Sequence, residues 1–95
     1  MQVKPGFINA DYKVPGGKLL RVHLQVEHNT ITHIMLTGDF FMHPEHAIED
    51  LETRLTGLAF EEDAIRAQVR AFFETDVQVI GAGVADFVHV ILQAH

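Results

Sequence analysis

Apolar and polar residues alternate along the first half of the chain, most regularly over positions 20–27. The apolar positions of this stretch are Leu20, Val22, Leu24 and Val26. A period of two is typical of a β-strand with one buried and one solvated face. A preceding strand is predicted over residues 9–14, because the turn-forming sequence Pro15-Gly16-Gly17 follows it. Residues 1 to about 41 are therefore predicted to form strands.

The strand over positions 20–27 is predicted to continue into a β-hairpin. His28-Asn29-Thr30 fits a three-residue loop, since Asn tolerates the left-handed backbone conformation that such loops use. This loop length places Val22 opposite Leu36 and Leu24 opposite Ile34. Loops of two or four residues would mix the apolar and polar faces, so the three-residue loop is favoured.

From Pro44 onward the apolar positions recur with a helical period, interrupted by one extended, glycine-rich stretch. The first helix is predicted to have Pro44 in its first turn and to end at Gly57, and the second to begin near Glu61. The third helix is predicted over residues 84–93 and is the most apolar. The predicted apolar stripes are Ala47, Ile48, Leu51 and Leu55, then Ile65, Val69 and Phe72, then Val84, Phe87, Val88, Ile91 and Leu92. The residues of the first helix predicted to face water are Glu45, Glu49, Asp50 and Glu52.

These elements predict an α+β fold. A three-stranded antiparallel sheet with one apolar face needs a cover, and three amphipathic helices packed on that face supply it. The 95 residues have room for one core, so residues 1–95 are predicted to form a single domain.

Composition and charge exclude several classes of function. Thirteen acidic and seven basic residues give a formal net charge of −6, which disfavours binding to nucleic acid. No apolar run approaches the roughly 20 residues of a membrane-spanning helix, and the N-terminus lacks the apolar core of a signal peptide. The absence of cysteine excludes disulfides and thiol chemistry. A cytoplasmic location is expected.

No catalytic, cofactor-binding or metal-binding residue is predicted. The chain contains no serine, and its threonines lie in no nucleophile motif. Of its seven histidines, His43 and His46 have helical spacing and His23 and His33 share a predicted strand face, but zinc usually needs three or four converging ligands. Gly81-Ala82-Gly83 lacks the third glycine of a dinucleotide motif. Asp86 stands at that position, where it favours a capped helix start.

One segment is a candidate partner interface, namely Gly38, Asp39, Phe40 and Phe41. Adjacent side chains in an extended segment point to opposite sides, so one Phe ring is expected to be at least partly exposed. The alternative interpretation is a strand end with one core aromatic, which is the commoner role of Phe.

Several short motifs occur in an order that resembles a known family. They are Leu20-Arg21-Val22 after a glycine turn, a hairpin, Gly38-Asp39-Phe40-Phe41, the Pro44-Glu45 helix start, Leu55-Thr56-Gly57 and Asp86-Phe87-Val88. From Tyr12 to Leu92 this pattern resembles the C-terminal accessory domain of lipoate–protein ligases. The fold of that domain is similar to iron–sulfur scaffold and sulfur-acceptor proteins, whose cysteines this chain lacks.

The resemblance implies a non-catalytic accessory subunit. Similar ligases use ATP to activate lipoate to lipoyl-adenylate and then transfer the lipoyl group to a lysine of a lipoyl-acceptor domain. ATP and lipoate would bind to a large catalytic subunit, the expected partner, and the small subunit would assist activation. The start at Met1 suggests a natural stand-alone subunit. The alternative is a small metal- or ligand-binding module unrelated to lipoate.

Overall fold

The structure, a computed structural model, describes residues 7–94, with the side chain of Phe7 left out. The strands are β1 (Phe7–Lys13), β2 (Leu19–Glu27), β3 (Thr30–Gly38), β4 (Phe41–His43) and β5 (Gln78–Ile80). The helices are α1 (Ala47–Leu55), α2 (Glu62–Phe73) and α3 (Val84–Gln93). Strands β1, β2 and β3 form an antiparallel sheet in that order, and β4 pairs with β5 in a separate antiparallel ribbon.

The helices cover one face of the three-stranded sheet. Helix α3 lies against β1 and β2, α1 lies against β3, and α2 packs between the other two helices. The inward residues of β2 meet the apolar stripes of the helices in one core. The largest fully buried side chains are Phe72, Phe87, Leu20, Leu24, Ile31, Leu51, Leu55, Ile65 and Ile91. The predicted α+β class, with three strands and three helices on one face, is confirmed.

The turn of the β2–β3 hairpin differs from the prediction. Only His28 and Asn29 lie outside the strands, and both have left-handed φ angles of 52° and 59°, which suit a two-residue hairpin turn. A bulge interrupts the ladder beside Gln25 and Val26 and leaves Thr32 as the extra residue. The Thr32 hydroxyl donates a hydrogen bond of 3.2 Å to the carbonyl oxygen of Gln25.

The predicted register of the hairpin is confirmed although the predicted loop length is wrong. Val22 pairs with Leu36 and Leu24 pairs with Ile34. A two-residue turn in a regular ladder would have paired Leu24 with His33. The bulge adds one residue on β3, so all four apolar side chains remain on the core face.

Helix α1 begins later than its sequence predicts. Its first helical residue is Ala47, and Pro44 lies in the preceding turn, where its carbonyl oxygen accepts a hydrogen bond of 3.0 Å from Ala47 N. The chain needs this turn because β4 extends as far as His43. The end of the helix is as predicted, since Gly57 follows the C-cap with a φ of 89°.

Glu52 is not the solvated residue that the helical pattern predicts. Its Oε2 accepts a hydrogen bond of 2.8 Å from the backbone N–H of Leu36. Strand β3 is at the edge of the sheet, so this N–H points away from β2 and needs a partner. Glu52 therefore joins α1 to the edge of the sheet, whereas Glu45, Glu49 and Asp50 are exposed as predicted.

Helices α2 and α3 begin where the sequence predicts. Glu61 is the N-cap of α2, and α3 has the predicted bounds. Asp86 Oδ2 accepts a hydrogen bond of 2.8 Å from Gly83 N, so this carboxylate caps the helix as expected. Among the helices described within residues 7–94, none is both long and apolar enough to cross a bilayer.

Candidate functional site

The predicted interface segment lies at one end of the sheet, where the turn that contains it meets the turn before β2 and the turn between β5 and α3. Asp39 joins this segment to the start of β2 through two hydrogen bonds. Leu19 N donates to Asp39 Oδ1 at 2.7 Å, and Asp39 N donates to the carbonyl oxygen of Leu19 at 3.2 Å. The turn between β5 and α3 is joined to the turn before β2 by a hydrogen bond of 3.2 Å from the N–H of Lys18 to the carbonyl oxygen of Gly81. Asp39 therefore has a structural role in fixing this end of the fold.

Gly38 and Gly81 allow this close approach of the three turns. Gly38 has a φ of 154°, and a Cβ at this position would lie 2.2 Å from the carbonyl oxygen of Leu19. Gly81 has a φ of 106°, and its Cβ would lie 2.5 Å from Lys18 Cγ. Both backbone conformations strongly favour glycine. The segment is consequently held in one shape by its neighbours.

Phe40 and Phe41 point in opposite directions, as predicted. Phe40 is half-buried and packs edge-to-face on Phe87, with ring centroids 5.5 Å apart. Phe41 lies at the start of β4 and is 54% exposed. Of the two rings, Phe41 is therefore the more accessible to a partner.

Sequence reasoning missed Ile80, which lies directly beside Phe41. These two residues pair across the β4–β5 ribbon, and Ile80 is 63% exposed. Opposed residues in an antiparallel pair have side chains on the same face, so the two apolar groups are neighbours. The sequence holds one indication of this, because Ile80 is apolar but stands at an outward position of the alternation in which Val77 and Val79 point inward.

An open groove lies on the α1 side of Phe41. It has a volume of about 340 Å³ and separates the end of β3 from the start of α1. The apolar side chains that line it include Leu36, Met42 and Ile48, and Glu45 lies on its rim. The segment, Ile80 and this groove together form the candidate docking site.

The outer face of the three-stranded sheet carries polar side chains. His23 and His33 meet there edge-to-face with ring centroids 6.2 Å apart, so the prediction that they share a face is confirmed. Arg21 donates a hydrogen bond of 2.9 Å to Asp11, and this bond and the carboxylate charge raise the pKa of the Arg21 guanidinium.

The part of the chain that the structure describes contains no cluster of metal-ligating side chains. Between residues 7 and 94, no three His, Asp or Glu side chains come close enough together to hold a metal ion. His43 and His46 are both exposed, and they lie in β4 and at the N-cap of α1.

Comparison with known proteins gives the family. The sequence profile described as bacterial lipoate protein ligase C-terminus matches residues 6–91, which is nearly the whole chain. The chain belongs to this lipoate–protein ligase C-terminal family.

Individual relatives of this lipoate–protein ligase domain agree with the assignment. The chain is 37% identical over 73 residues to lipoate-protein ligase A subunit 2 of Thermoplasma acidophilum, a match that covers 77% of this chain and 76% of the relative. It also superimposes with a TM-score of 0.81 on a solved chain from a study of an archaeal lipoylation system, comprising a bipartite lipoate protein ligase and its E2 lipoyl domain, from the same organism. That match has 32% identity and covers 90% of this chain and 93% of the other.

Proposed function

We propose that this chain is the non-catalytic accessory subunit of a two-part lipoate–protein ligase. The observation that carries the proposal is the similarity to lipoate-protein ligase A subunit 2 of Thermoplasma acidophilum, a match that covers 76% of that relative's length. The absence of serine and cysteine removes two common nucleophiles and fits a chain that leaves catalysis to a partner.

The partner would be a large catalytic subunit that binds ATP and lipoate. In this proposal the small subunit assists the activation of lipoate to lipoyl-adenylate, which the large subunit then uses to modify a lysine of a lipoyl-acceptor domain. A rigid domain that closes over a reactive adenylate excludes water and positions the reacting groups. The small subunit would thereby raise the rate of activation without contributing a reacting side chain.

The residues proposed to contact the large subunit are Gly38, Asp39, Phe40 and Phe41. Their roles differ. Gly38 and Asp39 hold the segment against Leu19, Phe40 anchors it on α3, and Phe41 presents an exposed ring. Aromatic side chains that become buried by a partner are frequent binding hot spots. Phe41 is therefore the residue expected to contribute most to binding.

The isolated chain is expected to give no lipoylated product when it is incubated with ATP, lipoate and an acceptor domain. The same mixture with the large subunit added is expected to give product, because the chemistry belongs to that subunit. Mass spectrometry of the acceptor domain detects the added lipoyl group. The control is the large subunit alone, which should give much less product. Turnover by the highly purified small chain would overturn the proposal.

A further inference from the structure

Among the described residues, the exposed large apolar side chains are Met35, Phe41 and Ile80, and two of the three lie side by side. Met35 lies alone on the outer face of the sheet, whereas Phe41 and Ile80 pair across the β4–β5 ribbon. Contiguous exposed apolar surface is much more informative about binding than a single exposed residue. The ribbon therefore extends the candidate interface to a second strand, about 40 residues further along the chain.

The ribbon is fixed from its opposite face. Met42, the central residue of β4, is buried in the core, and its cross-strand partner Val79 packs against that core. Because the backbone and the inward side chains are already ordered, docking on the outward face requires little further loss of conformational entropy. A preformed surface of this kind binds a partner at a lower entropic cost.

The groove beside Phe41 indicates the size of the apolar group that the partner could place in it. Its volume of about 340 Å³ is at the small end of the range for ligand pockets, and it is open along its length. Phe40, Phe41 and Ile48, none of which is fully buried, supply apolar surface in it. A large apolar side chain projecting from a protein surface suits this groove better than an adenylate or a dinucleotide does.

The rim of the groove indicates the charge of the partner. Glu45 is exposed in the turn that precedes α1, and Glu49 follows one turn later on the same helix. The ion pairs of the described residues are Asp11–Arg21, Asp50–Arg54 and Glu62–Arg66, so Glu45 is left without a cationic partner within residues 7–94. The chain as a whole carries a net charge of −6, which attracts a basic surface and repels an acidic one.

We infer that the catalytic subunit covers Phe41 and Ile80 with apolar surface, fills the adjacent groove with a large apolar side chain, and places an arginine or lysine where it pairs with Glu45. The inference rests on the proposed function and adds to it the chemistry of the partner surface. It also assigns binding roles to Ile80 and Glu45, which lie outside the segment at residues 38–41.

Two substitutions test the inference in the complex of both subunits. Ile80→Ala removes apolar contact, and Glu45→Lys reverses the charge at the rim. Each is expected to weaken binding of the large subunit about tenfold, as truncating an interface residue does. Glu45→Lys should in addition weaken the effect of salt, because the wild-type affinity falls as salt is raised while salt also screens the local repulsion that the variant introduces. Calorimetric titration at low and high salt measures both effects.

Matched controls come from the same chain. Met35→Ala removes a side chain of similar exposure from the outer sheet face, and Glu27→Lys makes the same charge reversal at the far end of the hairpin. Both controls should bind like the wild type, and melting curves check that all four variants fold. This inference alone would be overturned if Ile80→Ala and Glu45→Lys bound the large subunit like these controls while the wild-type chain still stimulated the ligase. A wild-type chain that neither binds nor stimulates the large subunit would overturn the proposed function as well.

Discussion

Replacing Leu24 by alanine is expected to lower the free energy of unfolding by about 2–5 kcal/mol, as other large-to-small changes in protein cores do. Leu24 is fully buried in the middle of β2, and it pairs with Ile8 on one side and Ile34 on the other. The substitution removes its transfer free energy and leaves a cavity that the neighbouring strands can fill only in part. Urea denaturation followed by circular dichroism measures the change.

The matched control for Leu24→Ala is Met35→Ala. Met35 lies on the neighbouring strand with its side chain on the opposite face, where it is 49% exposed. Its removal should change the free energy of unfolding by no more than about 0.5 kcal/mol, since ordinary surface substitutions have effects of this size. Equal losses at the two positions would contradict a sheet with one buried face.

Phe41→Ala is expected to weaken binding to the large subunit by about 2 kcal/mol or more, or roughly 30-fold in affinity, as the loss of an aromatic hot spot does. Folding should be nearly unaffected, because more than half of the Phe41 surface is exposed. Activation of lipoate should slow in parallel at subunit concentrations below the new dissociation constant. Titration calorimetry and an adenylate-formation assay measure the two effects.

The Phe41 variant is a cleaner test than any change at Asp39. Asp39 Oδ1 accepts the hydrogen bond from Leu19 N, so its removal would disturb the end of the sheet as well as the proposed interface. Met35→Ala is again the control, because it removes a side chain of similar exposure elsewhere. A folded Phe41→Ala variant with unchanged affinity and activation would return residues 38–41 to the simpler interpretation of a strand end with a core aromatic.

Much of the fold could be predicted from hydrophobic periodicity. Strand β2 alternates from Leu20 to Glu27 and helix α3 is apolar on most of its surface, so a single physical effect, burial, determines each element. The inward and outward rings of Phe40 and Phe41 followed from the geometry of extended backbone alone. These local rules do not depend on which distant residues come together.

The features that could not be predicted depend on distant contacts. Strands β4 and β5 have three residues each and lie more than 30 residues apart, so neither carries a periodic pattern that identifies its partner. Glu52 resembles any solvated helical carboxylate until the edge N–H of Leu36 is placed beside it. The position of Ile80 beside Phe41 became visible only once β5 was paired with β4.

The central claim is that this chain acts on the activation step of a two-part ligase, and separate assays of the two half-reactions test it most directly. The large subunit is titrated with the small one, and lipoyl-adenylate formation from ATP and lipoate is measured beside transfer from preformed lipoyl-adenylate to an acceptor domain. We expect the rate of adenylate formation to rise with the small subunit until it saturates, and the rate of transfer to change much less. An adenylate-formation rate that is the same with and without the small subunit would contradict the claim.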